Sequence, residues 1–247
     1  MRATDFEFRY RFFVFGLIFW AGFTCYVFDQ RNTGEALLRL ISGPGLDLDS
    51  AQGRHGLQVI FGLATLLMAG AAMMRTWSTA YLKTDVVHDM DLRSEAMMAD
   101  GPYRHTRNPL YFSNLLMTAA MAMLASLVGA VVMALAMLLF QFRLIFREEQ
   151  RLLQTQGDRY VAYLKAVPRL WPWLRPRVPS SGLKPQWAQA WLGEAMFWGF
   201  VLAVAVFAVT LKLKYAYIFV GLSILFYLVV VPLWQRRKHV GNRSHSE

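Results

Sequence analysis

Residues 110–146 read LYFSNLLMTAAMAMLASLVGAVVMALAMLLFQFRLIF. The stretch divides into two apolar runs, 110–128 and 129–146, and the connection between them carries no charge. Each run approaches the ~20 residues at ~1.5 Å rise that a helix needs to cross a hydrocarbon core. The pattern predicts a tight membrane hairpin. Four more apolar runs, at 12–28, 57–74, 195–211 and 215–234, extend the expectation to six spans, the first of them short. A large soluble helical core would need polar faces, which these runs lack. The fold class expected is therefore an all-α, polytopic integral membrane protein.

Composition agrees. The chain is 56 % hydrophobic and 17 % charged, against ~45–50 % and ~25 % in ordinary soluble domains. Its 26 Lys and Arg outnumber 16 acids, for a formal charge of +10, and these cations follow the ends of the runs. Arg2, Arg9 and Arg11 precede the first; Arg75, Lys83, Arg93, Arg104 and Arg107 follow the second; Arg147 to Lys184 follow the fourth; Arg236, Arg237 and Lys238 follow the sixth. Short cytoplasmic loops retain Lys and Arg, so both termini are expected in the cytoplasm. Arg31, Arg39 and Arg54 fall on the opposite side, partly balanced by Asp29, Glu35, Asp47 and Asp49. Charge that tracks membrane edges points to membrane lipids as partners rather than nucleic acid, which would ask for one basic stripe. Cys25 is the only cysteine and lies inside the first run, so no disulfide forms within one chain. That run has no small-x-small cleavage site after it, which favours an uncleaved anchor over a signal peptide.

Three parts are expected: a helical hairpin over 1–75, a core over 76–175 with a cytoplasmic helix from about Phe146 to Ala166, and a last part over 176–247. The connection into the last part holds Pro168, Pro172, Pro176, Pro179 and Pro185, and no regular helix can run through it.

The core contains two motif segments. The first is Gly101-Pro102-Tyr103-Arg104-His105-Thr106-Arg107-Asn108-Pro109-Leu110-Tyr111, at the mouth of the third run. The second is Arg147-Glu148-Glu149 as the fourth run ends, continuing through Gly157, Tyr160 and Tyr163 to Val167-Pro168-Arg169. Local chemistry gives Asn108 and Pro109 a structural role: Asn is a favoured N-cap and Pro suits the first helical position. A helix start also presents unpaired N–H groups and a positive dipole end, which suit an anion. On a helix turning ~100° per residue, Arg143, Arg147 and Arg151 fall within a stripe of about 80°. Glu148 and Glu149 lie roughly opposite, among Leu144, Ile145 and Leu152. Carboxylates on an apolar face call for a cation.

Over about residues 76–175 the two segments resemble the isoprenylcysteine carboxyl methyltransferase and phospholipid methyltransferase superfamily, whose members carry Gly-x-Tyr-x-x-x-Arg-(His/Asn)-Pro-x-Tyr, then Glu-Glu, then Gly-x-x-Tyr-x-x-Tyr. The resemblance implies an integral membrane enzyme that transfers methyl from S-adenosylmethionine to a lipophilic acceptor such as a prenylcysteine carboxylate or a phospholipid amine. Carried over, it implies a cofactor site of Glu95, Met97, Met98, Tyr103, Arg107, Asn108, Pro109, Tyr111, Glu148 and Glu149. Arg143 and Arg147 are the candidates for positioning the acceptor. Asn108 stands where prenylcysteine enzymes usually have His, and Glu95-Ala96-Met97-Met98 replaces their His-x-Leu-Val. No Gly-x-Gly-x-x-Gly follows a strand, no histidine pair has metal-ligand spacing, and no Gly-x-Ser-x-Gly elbow occurs. An NADPH-dependent sterol-type reductase and a non-catalytic membrane protein are the alternatives. For the second, Glu194 is the one acid close to lying in a span.

Overall fold

The computed structural model describes residues 2–82 and 99–243, with the side chains of 231 and 233–243 left aside. Glu95, Met97 and Met98 lie outside the described residues. Those residues form ten α-helices and no strand; one isolated antiparallel bridge joins Asn32 to Ser126.

The helices are α1 (Asp5–Arg9), α2 (Arg11–Thr24), α3 (Thr33–Ser42), α4 (Ala51–Ala80), α5 (Pro109–Leu124), α6 (Leu127–Gln156), α7 (Asp158–Ala166), α8 (Trp187–Gly193), α9 (Ala195–Thr210) and α10 (Leu213–Arg243). Neighbours pack in the order α2, α6, α5, α4, α9, α10. On one side of α5, Ile18, Tyr111, Phe112, Met137, Phe140 and Leu144 form a core with α2 and α6. On the other, Met68, Ala71, Ala72, Met117, Ala120 and Val201 join α4, α5 and α9.

The protein is an all-α membrane protein. Ala51–Ala80, Leu127–Gln156 and Leu213–Val230 are long and apolar enough to span, and α8 with α9 makes a fourth candidate, bent by 57°. The remaining two apolar runs are the shorter helices Arg11–Val27 and Pro109–Leu124. At ~1.5 Å per residue, the 16 residues of α5 reach about 24 Å, less than a ~30 Å hydrocarbon core. Six apolar elements thus match the six runs, while length supports three or four as complete spans.

Two local expectations change. The cytoplasmic helix expected from about Phe146 is instead the continuation of α6, which runs unbroken to Gln156. It stops at Gly157, whose φ of 53° is left-handed, and α7 starts there. The connection after the first run also contains an unexpected helix, α3, because Asn32 accepts from the Glu35 N–H at 3.1 Å and starts it.

The proline-rich connection is helix-free between α7 and α8, as expected, but it is not loose. It runs back along the first motif segment with backbone hydrogen bonds from Arg107 N to Pro168 O (2.9 Å), Trp173 N to His105 O (3.0 Å) and Arg177 N to Arg104 O (2.8 Å). Asp100 closes this seam. Its buried carboxylate accepts from the Ser180 and Ser181 hydroxyls and from the N–H groups of Ser181 (3.1 Å) and Leu183 (2.9 Å). Burial pushes this carboxyl up, but the four hydrogen bonds outweigh burial and hold it below the ordinary carboxylate range.

A depressed folded value means that the contribution of Asp100 is complete above the ordinary pKa of about 4 and is lost as pH falls through the folded value. Hydrogen exchange of the 177–184 peptide is therefore expected to quicken in the wild type only below about pH 4. In Asp100→Ala it should quicken at pH 7, roughly 10- to 100-fold, the weight of one charge-assisted hydrogen bond. Unchanged exchange in that variant would remove Asp100 from the seam.

Candidate active site at the motif end of the bundle

Gly101 opens the first motif segment in a left-handed conformation (φ 55°), and a Cβ there would sit 2.3 Å from the Tyr81 ring. No other residue fits this turn without displacing Tyr81. A short 3-10 turn over Gly101–Arg104 follows, and Pro109 takes the first position of α5. Asn108 occupies the N-cap position, but its side chain caps nothing. Its Nδ2 instead donates to the Arg169 carbonyl at 2.9 Å. The capping expected from the sequence is replaced by a tether between the first motif segment and the end of the second.

The glutamates arrive from α6, on the face that buries Leu144 and Ile145 completely. Glu149 is buried and meets two arginines: Arg169, with Nε at 3.1 Å and Nη2 at 3.0 Å from Oε2, and Arg107, with Nη2 at 3.4 Å from Oε1. The cation that a buried carboxylate requires is thus supplied by the protein itself, from residues that are distant in sequence. One carboxylate against two guanidinium groups leaves the cluster with one excess positive charge. Arg107 Nε is buried and has no hydrogen-bond partner among the described residues. Glu148, half-buried, accepts from the Tyr111 hydroxyl at 2.9 Å.

Below this cluster, Tyr160, Tyr163 and Val167 pack with Ala99 and Tyr103, and the Tyr163 hydroxyl donates to the Tyr103 carbonyl at 2.7 Å. Burial first, then nearby negative groups, pushes the phenols of Tyr103, Tyr160 and Tyr163 up. They stay protonated and serve as packing surface, with Tyr163 also a donor.

Arg143 and Arg147 face a different neighbour. Arg143 donates to Glu7 Oε2 at 2.8 Å, and Arg147 pairs with Asp5 and donates to the Ala3 carbonyl at 3.1 Å, with its guanidinium 4.9 Å from the Phe8 ring centre. Ala3 N in turn donates to the Arg143 carbonyl at 3.1 Å. The N-terminal segment, stiffened by a capping box between Thr4 and Glu7, is therefore strapped across the arginine stripe of α6. Arg143 holds the Glu7 carboxyl below its usual range through their hydrogen bond.

The structure joins Arg107 to Arg169 through Glu149 and ties Asn108 to the Arg169 carbonyl, and it pairs Tyr111 with Glu148, the neighbour of Glu149 on α6. Tyr103 stands beside them through Tyr163, and Pro109 contributes backbone geometry only. Sequence reading missed two polar centres. One is Asp100. The other is Arg75–Glu194, a buried pair at 2.6 Å that also engages Asn114 and Thr79. Arg75 reads as a membrane-edge charge in sequence, and the signal for pairing is a base just after run 57–74 and an acid just before run 195–211.

Residues 57–159 match the family model of the phospholipid methyltransferases. The match covers 103 of the chain's 247 residues, and over them the chain is similar to the phospholipid methyltransferases. The match begins earlier than the motif resemblance, taking in α4 from Leu57, and ends before Tyr160 and Arg169. It contains both glutamates and the whole first motif segment. No curated protein and no solved structure matches the chain.

Proposed function

We propose that this protein is an S-adenosylmethionine-dependent methyltransferase whose acceptor is a lipid amine presented at the cytoplasmic membrane edge, with both termini in the cytoplasm. The observation that carries this reading is the junction of the two motif segments within the matched domain: Tyr111 to Glu148, and Arg107 to Glu149.

The chain's own groups fit the cofactor. Its carboxylate would find the unpartnered Nε of Arg107 and the excess positive charge of the Arg107–Glu149–Arg169 cluster. Its cationic end would find Glu148. When bound, S-adenosylmethionine supplies an electrophilic methyl on a sulfonium sulfur. In-line transfer then depends mostly on alignment, and Tyr111, by holding Glu148 through its hydroxyl, orients the carboxylate. Glu148 is also the group able to take the proton that an ammonium acceptor must lose before its nitrogen can attack.

An amine is favoured over a carboxylate acceptor because the family model that matches is that of the phospholipid methyltransferases, and because Arg143, which would orient a carboxylate, is held by Glu7. The two arginines keep a role toward the acceptor in this reading. Asp5 is almost fully exposed, and exposed pairs are worth only ~0–1 kcal/mol, so a lipid phosphate can take its place on Arg147.

The roles separate by kinetics. Asn108→Ala removes one neutral hydrogen bond that tethers Arg169, so S-adenosylhomocysteine affinity should fall about 2- to 10-fold. Arg147→Ala should leave that affinity unchanged and raise KM for phosphatidylethanolamine presented in vesicles. Turnover of labelled S-adenosylmethionine on those vesicles, with and without each change, checks both. Equal effects of the two variants on the donor and the lipid would refute the division.

A further inference from the structure

A cavity lies away from the glutamate cluster, where the end of α4 meets the bend between α8 and α9. It encloses about 280 Å³ and is lined by Met73, Thr76, Trp77, Trp187, Trp191 and Trp198. Four of the chain's eight tryptophans, drawn from three helices, converge on it. Tryptophan is common at membrane edges as an anchor, with each ring sitting singly at headgroup level. Here the rings wall a shared space instead. Trp191 and Trp198 lie 4.9 Å apart at 32°, and Trp77 also contacts the His105 ring at 5.6 Å, so the cavity borders the first motif segment.

The chemistry of the lining is selective. It contains no charged side chain and one hydroxyl, Thr76, which donates to the Ala72 carbonyl at 2.8 Å and accepts from Trp198 Nε1 at 3.0 Å. That hydroxyl has no hydrogen left for an anion. A primary ammonium carries three donors that need acceptors, and the lining has little to offer them. A quaternary ammonium has no donor to satisfy, and its charge is stabilised by the faces of aromatic rings, Trp best of all. Arg75, one residue before Thr76 on α4, is neutralised by Glu194 at 2.6 Å and does not oppose it. The volume suits a headgroup and not a whole lipid, since pockets for drug-sized ligands run to roughly 300–1,000 Å³.

We propose that this tryptophan-lined cavity is a binding site for a quaternary ammonium group, that of a choline-type lipid headgroup. The assignment rests on the cavity alone and stands whether or not the chain transfers methyl groups.

The test uses the full chain in detergent, titrated calorimetrically with a short-chain phosphatidylcholine and with its 3,3-dimethylbutyl analogue, in which carbon replaces the charged nitrogen. The choline lipid is expected to bind roughly 3- to 30-fold more tightly than its neutral isostere. Trp187→Leu and Trp191→Leu, at half-exposed positions, should erase that preference with no change in thermal unfolding. Trp191→Phe should retain part of it. Displacement of the lipid by choline chloride would show that the ammonium alone is recognised; resistance to displacement would show that the lipid is needed, and either result supports the site. Equal affinity for the two lipids in the wild type, or an undiminished preference in both leucine variants, would overturn it and leave the tryptophans as membrane anchors.

Discussion

Glu194→Ala is expected to destabilise the protein by about 3–5 kcal/mol, the range for stranding one partner of a buried ion pair. Arg75 would lose its 2.6 Å partner while keeping only the Asn114 Oδ1 contact at 3.0 Å and the Phe197 ring 4.0 Å away. Glu194 is 5 % exposed and Arg75 13 %, so water cannot replace what is removed. For a chain of this size, thermal unfolding in detergent should shift down by roughly 6–20 °C. The double change Arg75→Met with Glu194→Leu should recover much of the loss, because an apolar pair of similar volume leaves no charge behind. A shift under about 2 °C in Glu194→Ala would mean that the pair does not hold α4 to the bend before α9.

The second large effect is expected at Glu149, and it differs in kind. Glu149→Ala leaves Arg107, 9 % exposed, without its carboxylate, while Arg169, 41 % exposed, can turn to water, so the loss should fall at the low end of the buried-pair range, about 3 kcal/mol. The Arg107 guanidinium would also move, so S-adenosylhomocysteine affinity should fall by at least ~10-fold, equivalent to ~1.4 kcal/mol. Glu194→Ala, measured at a temperature where it is folded, should leave that affinity within about 2-fold. An unchanged affinity in folded Glu149→Ala would reduce Glu149 to a structural pair.

These two sites show what was readable in the chain. The apolar runs announced the helices because a lipid-facing segment must satisfy its backbone internally and therefore declares itself as an uninterrupted run. The helical spacing of Arg143, Glu148 and Glu149 placed the carboxylates on the face of Leu144 and Ile145, since a regular helix fixes which side chains share a side. Partner choice was not readable. Arg169 reaches Glu149 and Asn108 only because the proline-rich connection folds back along residues 100–107, and its backbone bonds leave no periodic trace in sequence. Asp100 looked like a loop acid because its partners, Ser180 and Ser181, are eighty residues further on. The length of α6 was underestimated for the opposite reason: its polar last turns obey helix geometry but lose the hydropathy that marks a span.

The most direct test of the proposed methyl-transfer chemistry is calorimetric titration of the purified full chain with S-adenosylhomocysteine and, separately, with NADPH. Saturable binding of S-adenosylhomocysteine, weakened in Glu149→Ala, with no NADPH binding is the predicted result. Saturable NADPH binding without S-adenosylhomocysteine binding would contradict the proposed reaction and favour a reductase.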